Sequence, residues 1–496
     1  MNGGPDFSPG NLAAWTGGCW TAAPAVPLRG FHFDSRQLGA GGVFVALRTA
    51  RRDGHAFLGA ARQAGAAAAL VAAADATAGL PQLVVPDPLA AWHAIAREHR
   101  RAFPGPVVGI SGSAGKTSTK DLLALLLGGA AGGVVATEGN LNNHLGVPLT
   151  LTRLDPARHR VAVIEAGINA PGEMAPLAAM IAPDLALLTL VAAAHTEALG
   201  GLDGVAREKA VLPAAGRAGG LAIFPRPVAE FRAFRELAVP RLVVERVDGE
   251  GDPAPAGVVR FAVAAEGAAT RLTLWGDGRA AARFTLQRVT DGMAQNAVLA
   301  LTAARRLGVE DAALQERLAQ WRPAAMRGEW IEAAGRLIYL DCYNANPASM
   351  SDALAGFVAT APAERPRLFV LGCMEELGPE APRHHAELGS CPAVARRRSG
   401  IRHRRPRGGG GGGSAGAGRG RAAGGGDRLA RAGGGGRGGV AGRDLHQGQP
   451  ALRARRGAAG GGGEGAACLA TSPSTRSTTA RSGCSGRSRC APCSRR

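Results

Sequence analysis

The segment that most restricts how this 496-residue chain can fold is GISGSAGKTST, residues 109–119. It follows the apolar stretch PVV and runs into KDLLALLL, the pattern of a buried strand, a glycine turn and a helix. Such a turn wraps phosphates with backbone N–H groups and aims the N-terminus of the next helix at them. The spacing is G-x-x-G-x-x-G-K-T through Gly109, Gly112 and Gly115, with Ile110 where the commoner G-x-x-x-x-G-K-[ST] pattern has its first glycine. The plain alternative is an ordinary glycine turn before a helix. On the phosphate reading, Gly112, Ser113, Ala114, Gly115 and Ser118 form the nucleotide-binding loop. Lys116 then reaches the terminal phosphates, and the Thr117 hydroxyl ligates Mg²⁺. Alone, the loop specifies a nucleoside triphosphate and nothing more.

Strands alternate with helices on both sides of it. VFVAL (43–47) and AALVAAA (68–74) flank a helical stretch around HAFLGAARQAGA, which predicts a small α/β unit. From 104 to about 321, PVVGIS, RVAVIEAG and DLALLTLV are separated by helical segments and close on MAQNAVLALTAARRLG. This predicts a mostly parallel sheet. A third unit starts near Met326 with RLIYLDCYN, the helix SMSDALAGFVATA and RLFVLGCM, and stops after HHAELGS.

The formal charge of +19 belongs to one end of the chain. Residues 391–496 hold 22 Arg and 3 acidic groups, together with 29 of the 74 glycines and 5 of the 8 cysteines. The first 390 residues balance 36 basic against 36 acidic groups, so the basic pI says nothing about the body's partners. The N-terminus lacks a secretory pattern. The longest apolar run, 122–136, is 15 residues with four glycines and reads as a helix end leading into a buried strand. It falls short of the roughly 20 residues of a membrane helix. The body's three cysteines, Cys19, Cys342 and Cys373, show no ligand spacing, and a reducing, cytoplasmic setting is expected. Against 55 Arg there are three Lys: Lys116, Lys120 and Lys209. In a chain that writes its cations as Arg, a lysine points to a need for a primary amine.

The loop is followed in order by TEGNLNNHLGVPLTL, IEAGINAPGEM, AAAHTEALGGLDGVAREK, DCYNANPASM and LGCMEELG, with DSRQLGAGGVFVAL and DGHAF nearer the N-terminus. This series resembles the Mur ligase family over residues 33–390. The resemblance implies an α/β, three-domain architecture: a UDP-substrate domain (1–98), a parallel-sheet P-loop domain binding ATP (99–325), and the start of a Rossmann-like C-terminal domain (326–390), left incomplete. It also implies an ATP-dependent ligase joining D-alanyl-D-alanine to UDP-N-acetylmuramoyl-tripeptide, monomeric and without a membrane partner. DxYNANP distinguishes that activity from addition of the third-position diamino acid.

Residue by residue, the resemblance assigns Glu165, at the end of RVAVIE, to Mg²⁺, where its own context allows a solvated carboxylate. His195 and Lys209 would hold a second Mg²⁺, Lys209 as a carbamate. Without the resemblance these are a loop histidine and a solvated cation. Lys120 is expected on a helix surface. Asn296 matches a residue near adenine, although Gly292 stands where the family usually has histidine. Arg327 and Asp341 approach the phosphates and ribose. Ser35 and Arg36 hold the uridine diphosphate, where an Arg fork suits phosphate oxygens. Asn140 and Asn143, in a polar turn before an expected strand, and Asn344 and Asn346, before the helix at Ser349, are either turn formers or substrate contacts. Cys373 replaces the family's usual aspartate.

Beyond 390 no apolar period of 2 or 3.6 survives, and the segment is expected to be disordered. Off-frame GC-rich codons yield this mixture of Arg, Gly, Ala, Pro and Ser, so a reading-frame shift near codon 390 is the favoured origin. Two rivals remain: an Arg/Gly tail binding nucleic acid on an inactive ligase fragment, and a folylpolyglutamate-type ligase. The tail lacks aromatic residues, which disfavours the first, and the N-terminal DSR segment disfavours the second. The other two frames past codon 390 should encode alternating strands and helices; their absence from the DNA would reject the shift.

Overall fold

The structure is a computed structural model and describes residues 7–249 and 252–391, with the backbone of the short strands Arg402–His403 and Gly465–Leu469. Three sheets organise it. The first has the order Cys19–Trp20, Gln82–Val84, Ala68–Val71, Val43–Val45, Phe31–His32, parallel except at the Cys19 edge. The helix Pro88–Ala102 leaves this sheet through an Asp87 cap, whose carboxylate accepts from the amides of Leu89 and Ala90, with proline at the first position. Its Ala91, Trp92 and Ile95 pack into the first core and its Ala96 into the next. One rigid element therefore spans residue 98, where a boundary was expected. Near its end the buried Arg100 donates to the carbonyls of Ile181 and Ala182 and pairs with Asp184 at 2.7 Å. Asp184 also accepts from the amide of Val107, so the helix is tied to the first residue of the strand that carries the phosphate loop.

The central sheet has nine strands, in the order Val134–Ala136, Val161–Glu165, Val107–Ser111, Leu185–Leu188, Leu221–Pro225, Arg241–Arg246, Val258–Glu266, Ala269–Trp275, Ala282–Gln287. The first seven are parallel, as an alternating strand–helix sequence requires. The last two add an antiparallel meander at one edge that the strand–helix alternation does not predict. Helices Lys116–Leu126 and Asp291–Arg306 cover one face, Met174–Ile181 and Leu202–Ala214 the other. Both faces are thus dry, which accounts for strands such as Val107–Ser111 and Leu185–Leu188 being buried at every position.

Three local expectations are corrected. GVPLTL, read as a strand, is the helix Gly146–Leu151; its Pro148 is tolerated because the first turn of a helix has no amide partner to lose. Lys120, expected on a helix surface, is 3% exposed, since its face of the Lys116–Leu126 helix is covered by the segment leaving Val134–Ala136. The third correction concerns residues 391–496. The third sheet runs Arg327–Ala333, Arg336–Asp341, Gly465–Leu469, Arg367–Leu371, Arg402–His403, antiparallel in its first pair and parallel thereafter. Two stretches of the expected tail are therefore strands. Arg336–Asp341 and Arg367–Leu371 leave a lane between them whose backbone groups need partners, and GAACL fills it with ladders on both sides. The disorder and the nucleic-acid binding expected of the other tail residues lie outside the described residues.

Candidate active site

Val107–Ser111 lies between Val161–Glu165 and Leu185–Leu188, so three loops leave the sheet side by side at its carboxyl edge. In parallel α/β sheets this is where ligands bind. Ile110 is the penultimate residue of the strand and fully buried, and the loop proper therefore begins at Gly112 rather than at the position of the missing first glycine. Gly112 (φ +149°) and Gly115 (φ +77°) both need glycine. A Cβ at Gly112 would lie 1.9 Å from Thr189 Oγ1, and one at Gly115 2.4 Å from Asn296 Nδ2. Ser113 locks the loop to its neighbour, its amide donating to Leu190 O at 2.8 Å and its hydroxyl to Ala192 O at 3.0 Å. Lys116 folds back to donate to Gly112 O at 2.9 Å.

A cleft of about 1450 Å³ opens above the loop. Ser113, Ala114, Gly115, Lys116, Thr117, Ser118, Asn140, Asn143, Glu165, His195, Asn296, Arg327, Asp341, Asn344 and Asn346 line it. Lys209 does not; it is 2% exposed, in the helix Leu202–Ala214. Ser35 and Arg36 are remote from the cleft, on a short 3₁₀ turn of the first domain, where Arg36 is paired with Asp34. Asn143 Oδ1 accepts from the amides of Leu145 and Gly146, so it forms the turn before Gly146–Leu151 as well as facing the cleft. Asn344 likewise accepts from the amide of Ala345.

The carboxylate beside the loop, expected from the resemblance to face a metal, is Glu165, 1% exposed. Its Oε1 accepts from Thr117 Oγ1 at 3.2 Å and from Asn142 Nδ2 at 2.7 Å, whereas its Oε2 is buried without a hydrogen-bond partner. An orphaned carboxylate oxygen beside a threonine hydroxyl suits a hard divalent cation. Asn142 was not among the residues singled out from the sequence; only its place between two other asparagines marks it. Burial, opposed by Glu165 and reinforced by Arg327, lowers the Lys116 ammonium below the ordinary lysine range. Lys209 is pushed down much further, by burial first and then by Lys116. A buried amine biased toward its neutral form is the form that reacts with CO₂. Among the described residues no group of three or more His, Cys, Asp or Glu is arranged to hold a metal.

The third domain supplies the opposite wall, and polar contacts tie it to the central domain. Asn346 caps the helix Pro347–Thr360 through Ser349 and also donates to Ser113 O at 3.4 Å. Asp352 accepts from the amide of Gly292 at 2.9 Å, where a Cβ would fall 2.6 Å from its Oδ2. Glu376 pairs with Nδ1 of His195, both residues having left-handed backbones (φ +60° and +57°). Neither Asp352 nor Glu376 was signalled by the sequence. The Arg327 guanidinium stacks on Tyr343 at 3.8 Å from the ring centroid. Asp341 is raised to about 7 by burial and by Asp352, against Arg327.

Fold and site together define a P-loop nucleotide-binding protein whose cleft is closed by a second α/β domain. Family models match residues 110–304 as the Mur ligase middle domain and 326–397 as the Mur ligase glutamate ligase domain. The chain belongs to the Mur ligase family. It is 33% identical to the UDP-N-acetylmuramoyl-tripeptide–D-alanyl-D-alanine ligase of Escherichia coli over 379 residues, covering 73% of this chain and 78% of the relative. The enzyme so named from Mycobacterium tuberculosis is 33% identical over 388 residues, covering 72% and 74%. A crystal structure of MurF from Acinetobacter baumannii superposes with a TM-score of 0.67 at 28% identity, covering 77% of this chain and 82% of that one. MurF of Thermotoga maritima in complex with ADP gives 0.62 at 25%, covering 74% and 85%.

Asp341 makes the third domain's stability depend on pH. Its folded pKa of about 7 lies above the unfolded value, so the folded state binds the extra proton and stability falls as pH rises from about 4 through 7. Urea unfolding at pH 5 and pH 8 should show the nucleotide-free wild type losing about 3 kcal/mol more than Asp341→Asn, at ~1.4 kcal/mol per pKa unit over the two units from pH 5 to the folded pKa. Equal losses in the two proteins would reject the assignment.

Proposed function

We infer that this chain is an ATP-dependent carbon–nitrogen ligase that joins D-alanyl-D-alanine to UDP-N-acetylmuramoyl-tripeptide in peptidoglycan precursor synthesis. The observation that carries the reading is the cleft itself: a phosphate loop with Lys116 and Glu165 on one side faces Arg327, Asp341 and the Asn344–Asn346 turn on the other. The relatives named for this reaction match the chain across both walls.

The tripeptide's terminal carboxylate attacks the γ-phosphorus of ATP; the new O–P bond forms as the bond to the β–γ bridging oxygen breaks and ADP leaves. The amine of D-alanyl-D-alanine then attacks the acyl phosphate. The tetrahedral intermediate loses a proton from nitrogen and expels inorganic phosphate, leaving the amide. Carboxylate and γ-phosphate repel each other, so preorganised positive charge is the main requirement. Lys116 supplies it at the terminal phosphates, the amides of Ala114–Thr117 along the loop, and Arg327 from the third domain. Asn296, against Gly115, borders the base end, and Asp341 takes the ribose hydroxyls. Asn140 and Asn143 border the muramoyl-peptide, Asn344 and Asn346 contact substrate from the third domain, and Ser35 and Arg36 hold the uridine diphosphate.

Two Mg²⁺ ions supply further positive charge when bound, one through Thr117 and Glu165, the other through His195 and carbamylated Lys209. The carbamate forms when the neutral Lys209 amine attacks CO₂, making an N–C bond and releasing one proton. The lowered pKa of Lys209 supports this step.

Lys116→Ala should abolish phosphate release from ATP in the presence of both substrates while leaving the thermal melting point nearly unchanged; retained turnover would exclude Lys116. Uridine-linked tripeptide should support turnover where folate does not. In ¹³C-bicarbonate the wild type should show a carbamate resonance that Lys209→Arg lacks, and an identical spectrum from both would remove the modification.

A further inference from the structure

The proposed mechanism uses two of the chain's three lysines. The third, Lys120, is also buried, one helical turn beyond Lys116. Its ammonium donates to Thr137 O at 2.7 Å and to Gly139 O at 3.4 Å and pairs with Asp121 at 2.7 Å. We propose that Lys120 is a positioning residue for the metal-side carboxylate: it pins the 137–142 segment, and that segment fixes Glu165 from two directions.

The connections are short and each is a hydrogen bond. The Glu165 amide donates to Thr137 Oγ1 at 2.9 Å, and the Thr137 amide donates to Val163 O at 3.0 Å, which sets the segment against the strand that ends in Glu165. Five residues on, Asn142 holds Oε1 of the same carboxylate, while its own carbonyl accepts from the Gly167 amide at 2.9 Å. The close approach is possible because residue 167 is glycine; a Cβ there would lie 2.8 Å from the Asn142 side chain. With Oε1 occupied by Asn142 and Thr117, Oε2 alone is left for a cation. The carbonyls of Thr137 and Gly139 converge on the amine, and without a cation there the turn they belong to has nothing buried to close on.

An amine suits this place and a guanidinium does not. Lysine presents three donors on a compact charge and can divide them among two carbonyls and a carboxylate, whereas arginine's planar fork demands a wider, flatter partner. In a chain with 55 Arg and three Lys, the persistence of lysine where a buried amine meets three converging oxygens follows from that geometry.

This proposal rests on the reading that Glu165 holds a divalent cation, and the test separates the two. In the full chain, Mn²⁺ binding in the presence of ADP is read by electron paramagnetic resonance, alongside thermal melting and the Mg²⁺ dependence of phosphate release. Lys120→Met should weaken Mn²⁺ binding about tenfold or more, the range for groups that orient a metal ligand. It should raise the Mg²⁺ concentration needed for half-maximal rate while lowering kcat at saturating Mg²⁺ by less than about threefold. Lys120→Arg should not restore the affinity. Combined with Asn142→Ala, the losses should not multiply, because both act through one carboxylate. Should Lys120→Met fail to fold, Thr137→Val, which deletes only the hydroxyl between the segment and Glu165, should give a loss in the same direction. A lowered melting point with Mn²⁺ affinity within twofold of wild type, in Lys120→Met or Thr137→Val, would overturn the proposal. Wild-type affinity in Lys120→Arg would overturn the requirement for an amine. A wild-type protein that takes up no Mn²⁺ with ADP would instead overturn the parent reading of Glu165.

Discussion

Positive charge held away from water is the constraint on which this site depends. The Lys116 ammonium is lowered by burial and by Arg327, and the Lys209 ammonium by burial and by Lys116, so each cation makes its neighbour less favourable. Glu165 is the carboxylate that opposes them at Lys116. A site of this kind is short of anions until a triphosphate arrives, and phosphate binding relieves the repulsion that the empty fold tolerates. The same surplus of charge is what lets a second anion, the substrate carboxylate, approach the γ-phosphate. Marginal electrostatics in the free protein and catalytic power in the loaded one therefore have one cause.

The charge is divided between two domains, and the join between them is polar. Asn346 to Ser113, Asp352 to the Gly292 amide and Glu376 to His195 are hydrogen bonds or ion pairs around the rim of the loop. The third domain keeps its own core, around Phe357, Phe369 and Leu371, against which Ala193 of the central domain packs. Interfaces of this composition yield more easily than apolar ones. Arg327 and Asp341 belong to the third domain, so on the proposed mechanism they reach the nucleotide only while that domain is in place.

The sequence was most legible where function and local geometry coincide. The glycine spacing of 109–117, the strand ending in Glu165 and the Asn344–Asn346 turn before a helix are read from neighbouring residues, and the structure builds each of them, starting that helix at Pro347 rather than Ser349. Asn142, Asp352 and Glu376 were not legible, because each acts on a partner 23, 60 or 181 residues away. Lys120 was misread for the same reason: helical periodicity places it on a face, but only the tertiary fold shows that the face is covered. The strand Gly465–Leu469 escaped because five residues between a glycine-rich run and a Ser/Thr-rich one carry no period, and its ladders come from strands more than 90 residues earlier.

Gly292 shows how a departure from a family pattern is resolved in three dimensions. Taken as sequence, a glycine where relatives carry histidine removes a side chain from the base end of the nucleotide cleft. In the structure the space is filled: Asp352 reaches across from the third domain and accepts the Gly292 amide in the first turn of Asp291–Arg306. Any side chain at 292 would meet that carboxylate within 2.6 Å, so glycine at one position and aspartate at the other are a single arrangement. An amide in the first helical turn has no partner within its own helix, and a carboxylate is the group best suited to satisfy it. On the proposed reading of this end of the cleft as the base end, the exchange replaces a side chain of the central domain with one contributed by the third domain.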